Sequence, residues 1–345
     1  MTVEAGPEAQ IQLSICIPTY NFGEFIGETL ESILPQIVEG VEVVILDGGS
    51  TDDTPAVVRT FQERFPALHY HRRDERGGID RDMARTVEFA RGEYCWLFSS
   101  DDLMKPDAIR QVLEQIKSGL DVYLCGLTIC TRDMHPVKEH HILSVRPDTT
   151  FDLGREDDRR TYFERAETTT AFFSFLGSVI FKKARWDAIP LDEEFVGSCW
   201  AHVARLFRMI PSGLRVKYLR TSYLWKRSDN DSFMDAGLIQ RYAISIDGYH
   251  RLARTFFGQD SFEARHIRRV VATEFQPRAM LYAKMKTRDA SPEGRLMLER
   301  LAQAVYEDPS LRNWLFRAVY RWTPVLLFKA LATPYLALLK ALKRR

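Results

Sequence analysis

Short apolar runs alternate with longer stretches of helical periodicity over the first third of the chain. Five apolar runs have the length and composition of buried strands: residues 13–17, 41–46, 68–71, 94–98 and 121–126. Between these runs, apolar residues recur at the three- and four-residue spacing of amphipathic helices. Strands that alternate with helices in this way predict an α/β fold with a doubly wound, mostly parallel sheet.

Local signals place several of the helix ends. Asn21 is predicted to cap the first helix, and Thr54 is predicted to cap the second, with Pro55 as its first helical residue. A third helix is predicted over residues 79–91, with Gly92 as its C-terminal cap.

The remainder of the chain differs in pattern. Residues 132–170 are polar and irregular, which predicts a long surface loop or insertion. Strand signals fade near residue 232, and helical periodicity follows. We therefore predict an α/β catalytic domain over 1–232, a helical region over 233–308 and a separate basic segment over 309–345.

Composition narrows the class of protein. With 45% hydrophobic and 28% charged residues, the 345-residue chain has the make-up of a folded globular protein. Its net charge of +1 gives no overall attraction to nucleic acid, and no nucleic-acid partner is expected. The five cysteines form no C-x-x-C pair, and the acidic N-terminal residues without an apolar run are not expected to be a signal peptide. Both features predict a cytoplasmic location.

Parallel sheets bind ligands at the carboxyl ends of their strands, and polar motifs follow three of the predicted strands here. Asp101 and Asp102 follow the fourth strand, where carboxylates suit a hard divalent cation such as Mg²⁺ or Mn²⁺. The same acids could instead favour the start of the next helix.

Asp47 and the two glycines after it also allow two interpretations. They form either a tight turn before a helix or a site where a carboxylate meets a base or ribose, with Gly48 and Gly49 admitting a close approach. The absence of a G-x-G-x-x-G fingerprint at this position argues against a nicotinamide cofactor.

In order and spacing, these motifs resemble glycosyltransferase family 2, whose members have the GT-A fold. The resemblance rests on four segments: Ile17-Pro18-Thr19-Tyr20-Asn21, Val43-Val44-Ile45-Leu46-Asp47-Gly48-Gly49-Ser50-Thr51-Asp52, Ala90-Arg91-Gly92-Glu93-Tyr94 and Phe98-Ser99-Ser100-Asp101-Asp102. It is close over residues 12–125 and weak to about residue 235. It implies a hexosyltransferase-type enzyme that uses a nucleotide-sugar donor and a divalent metal, Mn²⁺ or Mg²⁺, and inverts the anomeric carbon.

The resemblance also implies roles for individual residues. Asp47 would hydrogen-bond the base or ribose, Asp101 would lie near the ribose, and Asp102 would bind the metal. Arg227, with Lys226, would contact the pyrophosphate or else be a solvated loop charge. The other donor-site candidates that the resemblance implies are Pro18, Thr19, Tyr20, Asn21, Gly49, Gly78, Asp80, Arg81 and Ser100. Two residues depart from the family pattern: Gly48 replaces a second acid, and Ser100 replaces a frequent acid of the D-x-D site.

The general base is left open between three residues, with His202 preferred to Glu194 and Glu194 to Glu193. The family places an acid near a helix start, and the matching stretch here contains Glu193, Glu194 and His202. His202 has an ordinary pKa suited to proton transfer at neutral pH, but it could equally be a core histidine. Its Gly-Ser-x-Trp-x-His context is similar to that of surface-polysaccharide transferases, including abequosyltransferase-like proteins.

The C-terminal segment after Asp308 has no acid, and eight basic residues there alternate with aromatic and aliphatic ones. Lys329, Pro324 and Pro334 interrupt it, so a membrane-spanning helix is not expected. We predict either a segment lying on the inner face of an anionic cell membrane or a helix packed on protein.

Together these features predict a metal-assisted glycosyltransferase with a C-terminal helical region. Its expected acceptor is lipid-linked or an oligosaccharide in O-antigen-like cell-surface polysaccharide synthesis. Two alternatives stay open: a polyprenyl-phosphate sugar transferase and a non-catalytic nucleotide-sugar-binding scaffold. The sequence leaves oligomeric assembly open.

Overall fold

A computed structural model describes residues 10–287, 291–324 and 328. The strands are β1 Leu13–Thr19, β2 Val41–Asp47, β3 Leu68–Arg72, β4 Tyr94–Leu97, β5 Leu103–Met104, β6 Val122–Cys130, β7 Pro136–His140, β8 Thr150–Asp152, β9 Val179–Lys182 and β10 Arg215–Lys226. The helices are α1 Gly23–Ile33, α2 Thr54–Gln62, α3 Ile79–Phe89, α4 Ala108–Ile116, α5 Glu156–Glu164, α6 Lys183–Asp187, α7 Ala201–Met209, α8 Leu238–Phe257, α9 Phe262–Glu274, α10 Pro277–Lys286, α11 Pro292–Val305 and α12 Leu311–Trp322.

One sheet runs through the N-terminal part of the chain in the order β3-β2-β1-β4-β9-β6-β10-β5, with β7 on β6 and β8 on β10. Strands β3, β2, β1 and β4 are mutually parallel, and β10 is parallel to β6. Strand β9 lies antiparallel between β4 and β6. The predicted α/β class is confirmed.

The core lies on both faces of this sheet because β1 and β2 carry mostly apolar side chains on both of their faces. Every residue of both strands is buried, as expected for parallel strands covered by helices on either side. Helices α1 and α2 cover one face, and α3 packs against β1 and β2. The carboxyl ends of β1, β2 and β4 therefore open at the same edge of the sheet.

Strand β10 is not regular along its length. Its parallel pairing with β6 shifts register between Leu219 and Ser222 and again between Ser222 and Leu224. Such bulges add residues to one strand without a partner on the other. They lie just before the loop that begins at Arg227.

Three predicted helix ends differ in detail. Asn21 does not cap α1: it adopts φ 57°, and its side chain accepts the Thr51 N–H. Thr54 is the first helical residue of α2, and the Asp52 carboxylate accepts its N–H. Helix α3 ends before Gly92, whose N–H donates to Ser14 Oγ. For Asn21 and Gly92 the hydrogen-bond partner is distant in sequence, whereas the partner of the Thr54 N–H is the nearby Asp52.

The prediction of an irregular loop over residues 132–170 is wrong. This part of the chain contains β7, β8 and α5, and β8 pairs with β10. The charged residues 155–160 form the outer face at the start of α5, while Phe151, Tyr162 and Phe163 are buried. A few widely spaced aromatic residues suffice here to form elements, because each packs deeply.

The chain divides into two compact units, Met1–Asn230 and Asp231–Arg345. The described part of the second unit is helical, from α8 to α12. Within it the guanidinium of Arg268 donates to both carboxylate oxygens of Asp308 at 2.8 and 2.7 Å. No helix in the described ranges combines the length and hydropathy that crossing a membrane requires.

Candidate functional site

The turns after β1 and β2 form one hydrogen-bonded corner. Gly48 N–H donates to Thr19 O at 2.8 Å, and Asn21 N–H donates to Ser50 Oγ at 2.8 Å. Pro18 is buried in β1, and the next turn residue, Tyr20, lies under the Arg76 guanidinium at 4.3 Å from its ring centroid. The structure thus brings together the residues of the first two predicted motifs.

Asp47 lies within this corner, but its carboxylate already has partners. It is fully buried, Oδ1 accepts the Ser50 N–H at 2.7 Å, and Oδ2 accepts the Tyr70 hydroxyl at 2.7 Å. Burial and the Asp47 charge raise the pKa of Tyr70, so the hydroxyl keeps its proton. The structure therefore presents Asp47 as a residue that orders the corner, rather than as an open ligand.

The loop between β3 and α3 closes over the second turn. Gly49 has φ +88°, and a Cβ there would lie 3.3 Å from the backbone of Glu75. Gly78, at φ +84°, precedes α3 and faces open space. Both glycines therefore meet conformational needs that other residues satisfy poorly.

Sequence reasoning missed Asp82, which belongs to this corner. Its side chain on α3 is 3% exposed, and its Oδ1 has no hydrogen-bond partner. Burial raises its pKa to about 6, against the opposing effect of Arg73 and Arg76. The available signal was the Asp80-x-Asp82 spacing just after Gly78, at the start of a helix that faces the sheet edge.

Ser100, Asp101 and Asp102 follow β4, which lies beside β1. Ser100 and Asp102 are buried, at 4% and 2% exposure. Asp102 Oδ1 accepts the Arg227 N–H at 2.8 Å, whereas Oδ2 is buried without a hydrogen-bond partner. Burial, and then the neighbouring charge of Asp101, raise the pKa of Asp102 well above its usual range. This carboxylate is therefore held in a position that is unfavourable until a positive charge reaches it.

Arg227 fastens the loop after β10 onto this acidic pair. Its guanidinium donates to Asp101 O, to Arg132 O and to the Glu28 carboxylate, and it lies 4.9 Å from the Phe25 ring centroid. Asn230 also donates to the Asp101 carboxylate. The expected pyrophosphate-binding side chain is thus buried and engaged within the protein in this conformation.

Asp80 and Arg81 connect α3 to the segment predicted to hold the base. The Asp80 carboxylate accepts backbone N–H bonds from Gly197 at 2.8 Å, Cys199 at 3.0 Å and Ala201 at 3.1 Å. Arg81 forms two hydrogen bonds with the Glu193 carboxylate, at 3.1 and 2.7 Å. Asp80 therefore lies where it orders this segment, although its donor-site role was the expectation.

The three base candidates differ sharply in environment. Glu193 and Glu194 are exposed at the surface, and Glu193 is paired with Arg81. His202 is 5% exposed in α7, stacked at 6.5 Å on Trp200. Neither ring nitrogen makes a hydrogen bond of normal geometry within the described ranges, although the backbone of Phe173 and Ser174 lies near. Burial lowers the pKa of His202 to about 4, so the ring is neutral at physiological pH.

Solved structures with the same architecture define the class of protein. S. aureus TarS in complex with UDP-GlcNAc superposes with a TM-score of 0.59, covering 90% of each chain at 18% identity. The mannosyltransferase PcManGT from Pyrobaculum calidifontis, in complex with GDP-Man and Mn²⁺, gives a TM-score of 0.52, 18% identity and coverage of 95% and 89%. The chain has the GT-A fold of glycosyltransferases, as predicted.

Sequence comparison narrows this class to a family. The profile of "Glycosyl transferase family 2" matches residues 14–183. The chain is also 32% identical to abequosyltransferase RfbV of Salmonella typhimurium over 268 residues, which are 76% of this chain and 80% of the relative. It belongs to glycosyltransferase family 2 and is a glycosyltransferase.

Proposed function

We propose that the protein transfers one sugar from a nucleotide-sugar donor to a lipid-linked or oligosaccharide acceptor during synthesis of an O-antigen-like cell-surface polysaccharide. The similarity to abequosyltransferase RfbV extends over most of both chains, beyond the family-wide N-terminal motifs, and supports this acceptor class. Fold likeness to transferases solved with UDP-GlcNAc and GDP-Man supports a nucleotide-sugar donor.

The observation that carries the proposal is the buried carboxylate of Asp102 at the carboxyl end of β4. Its Oδ2 has no partner, and burial beside Asp101 disfavours its charge. Leaving an ionised carboxylate buried without compensation is expensive, so a fold that holds one there fits a site completed by a cation.

The residues present fit a divalent metal. No cluster of three or more His, Cys, Asp or Glu ligands occurs among the residues that the structure describes. The pair Asp101 and Asp102 suits Mg²⁺ or Mn²⁺, because these ions need only one or two carboxylates when phosphate oxygens and water supply the other ligands. Asp102 would bind the ion, with Asp101 beside it. Once bound, a divalent cation would stabilise the negative charge that develops on the leaving nucleoside diphosphate.

The chain's own residues would hold the donor around this centre. Thr19, Tyr20 and Asn21 form the corner beside it, and the Gly78 turn opens above α3. The Arg227 loop hydrogen-bonds to both acids and is placed to exclude water from them. Arg227 would meet the diphosphate only after exchanging its present partners.

A base must take the proton of the acceptor hydroxyl. Glu193 and Glu194 are open to solvent, and the Arg81 pair orients the first of them. His202 is 5% exposed, so an acceptor hydroxyl in solvent does not reach its ring in this conformation. We therefore place the two glutamates ahead of His202 as proton acceptors, reversing the order that the sequence favoured.

We further propose that the C-terminal segment associates with the inner face of the membrane. Its described part includes α12, which exposes apolar side chains at helical spacing: Leu311, Trp314, Leu315, Val319 and Trp322. Such a face among arginines suits the interface of an anionic bilayer. The rest of the predicted segment, from residue 325 onward apart from 328, lies outside the described residues.

Thermal unfolding in the presence of nucleotides tests the donor site. Wild type, Asp102→Ala and Asp53→Ala are melted with UDP, GDP, CDP, ADP or TDP, each with and without Mn²⁺. Asp53 is an exposed carboxylate that makes no capping hydrogen bond, which makes it a matched control. Binding to the folded state raises Tm by mass action.

We expect a Mn²⁺-dependent rise in Tm with one nucleotide for wild type and Asp53→Ala, and its loss in Asp102→Ala. If no nucleotide shifts wild type, the donor-site proposal is wrong. Release of the same nucleotide during incubation with its sugar conjugate and membrane lipid extract then tests transfer.

A further inference from the structure

The carboxylate of Asp82 is wedged between two glycines. A Cβ on Gly48 would lie 2.5 Å from Asp82 Oδ2, and a Cβ on Gly77 would lie 2.5 Å from Asp82 Oδ1. Real Cβ atoms do not approach an oxygen so closely, so both positions are open only because they lack a side chain. The side chain of Asp82 therefore reaches from α3 into the turn after β2, on the edge of the sheet where β1 and β2 end.

This carboxylate has a long ion pair with Arg73, but one of its oxygens lacks a hydrogen bond. Asp82 Oδ1 is buried and accepts no hydrogen bond among the described residues, and Arg73 Nε stays 3.8 Å away. Thr19 Oγ1, in the same corner, is likewise buried without a partner. Native proteins rarely leave such groups unsatisfied. Two of them beside one turn indicate that a polar ligand supplies the missing bonds.

The other carboxylate of the corner already has a hydrogen bond at each oxygen. Both oxygens of Asp47 are taken by the Ser50 N–H and the Tyr70 hydroxyl. Asp82 faces Asp47 as a like charge and Arg73 and Arg76 as opposite charges. Of the two acids at this turn, Asp82 is the one with a buried oxygen that accepts no hydrogen bond among the described residues.

We propose that Asp82 accepts a hydrogen bond from the nucleoside part of the donor and thereby helps to select the nucleotide, a proposal that rests on the function proposed above. The group that donates is an N–H of the base or an O–H of the ribose. Asp82 supplies from α3 the acid that position 48 lacks. Gly48 and Asp82 then form a coupled pair, because the room for one carboxylate depends on the absence of the other side chain.

The coupling gives a test that a single substitution does not. Kd values for the preferred nucleoside diphosphate with Mn²⁺ are measured by calorimetry on wild type, Asp82→Ala, Gly48→Asp and the double variant. Gly48 has an ordinary φ, so an aspartate there meets no backbone strain, only the Asp82 oxygen.

We expect each single variant to weaken binding at least tenfold, as is typical when a charged hydrogen-bond partner is lost. Asp82→Ala loses the acceptor, and Gly48→Asp forces the acceptor away. The fold-increase in Kd of the double variant should be smaller than the product of the two single-variant increases, since the new carboxylate at position 48 occupies the space that Asp82 has vacated.

A second arm identifies the donating group and excludes a purely structural effect. Wild type and Asp82→Asn are compared with the ribonucleotide, its 2′-deoxy and 3′-deoxy analogues, and nucleotides of the other bases. If a ribose hydroxyl is the donor, one deoxy analogue should bind wild type at least tenfold more weakly than the ribonucleotide does. The same analogue and the ribonucleotide should bind Asp82→Asn with about equal affinity. If a base N–H is the donor, Asp82→Asn should instead reduce discrimination between bases.

The outcomes separate this inference from the proposed function. If wild type binds no nucleotide, the proposed function fails first. If wild type binds but Asp82→Ala and Asp82→Asn bind as tightly and with the same selectivity, the inference about Asp82 is overturned while the donor site stands. Additive effects in the double variant would likewise contradict the coupled pair.

Discussion

Replacing Asp80 with alanine should destabilise the protein without removing its donor site. The Asp80 carboxylate is 3% exposed and accepts three backbone N–H bonds, from Gly197, Cys199 and Ala201. Two of these residues have left-handed backbone, with φ 82° at Gly197 and 71° at Cys199. A non-glycine residue there is strained, so the carboxylate holds a turn that would otherwise relax.

The magnitude follows from the bonds lost. A hydrogen bond to a charged group contributes about 1.5–3 kcal/mol, but the three bonds are not additive, because the freed turn can relax and hydrate. We expect Asp80→Ala to lower the free energy of unfolding by about 3–5 kcal/mol, which corresponds to a drop in Tm of roughly 10 °C for a unit of this size. Asp80→Asn keeps one acceptor oxygen and should lose about half as much.

Thermal melts of the ligand-free protein measure the change, and nucleotide titration below the lowest Tm measures binding. Arg81→Ala is the matched control for the thermal melts, because the contact that it breaks is an exposed ion pair with Glu193. Such pairs are worth about 0–1 kcal/mol. An unchanged Tm together with lost nucleotide binding would show that Asp80 contacts the donor, and this reading of its role would be wrong.

Three further results are expected. Because the native pKa of Asp82 is raised to about 6, its contribution to stability is present below about pH 4 and is lost as the pH rises through 6. Urea unfolding of the ligand-free protein from pH 4 to 8 should therefore show that Asp82→Asn gains stability relative to wild type as the pH rises. If the free energies of unfolding of the two proteins change in parallel with pH, this expectation is wrong. With a pKa near 4, His202 is deprotonated throughout neutral pH, so kcat/KM should lack a rising limb due to His202 between pH 5 and 8; a limb near pH 6.5 that disappears in His202→Gln would restore it as the base. Replacing exposed Trp314 and Trp322 with serine should weaken sedimentation with anionic vesicles at least fivefold while leaving nucleotide binding unchanged, and equal vesicle binding would exclude α12 as an anchor.

The sequence predicted the part of the fold whose signal is local. Strands β1, β2 and β4 are short, mostly apolar runs, and the turns that follow them carry motifs that identify the family. It could not show contacts between residues that are distant along the chain. The carboxylate of Asp80 meets an N–H donor 117 residues further along the chain, and no spacing rule connects them.

Asp82 was missed for a related reason. Its importance depends on the empty space beside Gly48 and Gly77, and an absent Cβ leaves no pattern to find in a single sequence. His202 was ranked first because an ordinary histidine titrates near neutral pH, whereas burial in α7 lowers its pKa to about 4. Residues 132–170 were misjudged because their few aromatic side chains pack deeply within a polar stretch.

Near the end of β10, the bulges fix how many residues the chain needs to bring Arg227 to Asp102. Each residue advances a strand by about 3.3 Å and reverses the face of every side chain after it. Deleting one residue between Leu219 and Leu224 would therefore move the Arg227 N–H away from Asp102 and turn its side chain from Glu28 toward the opposite face. Substitutions along β10 should be tolerated far better than single insertions or deletions, because the number of residues in the strand determines whether Arg227 reaches Asp101 and Asp102.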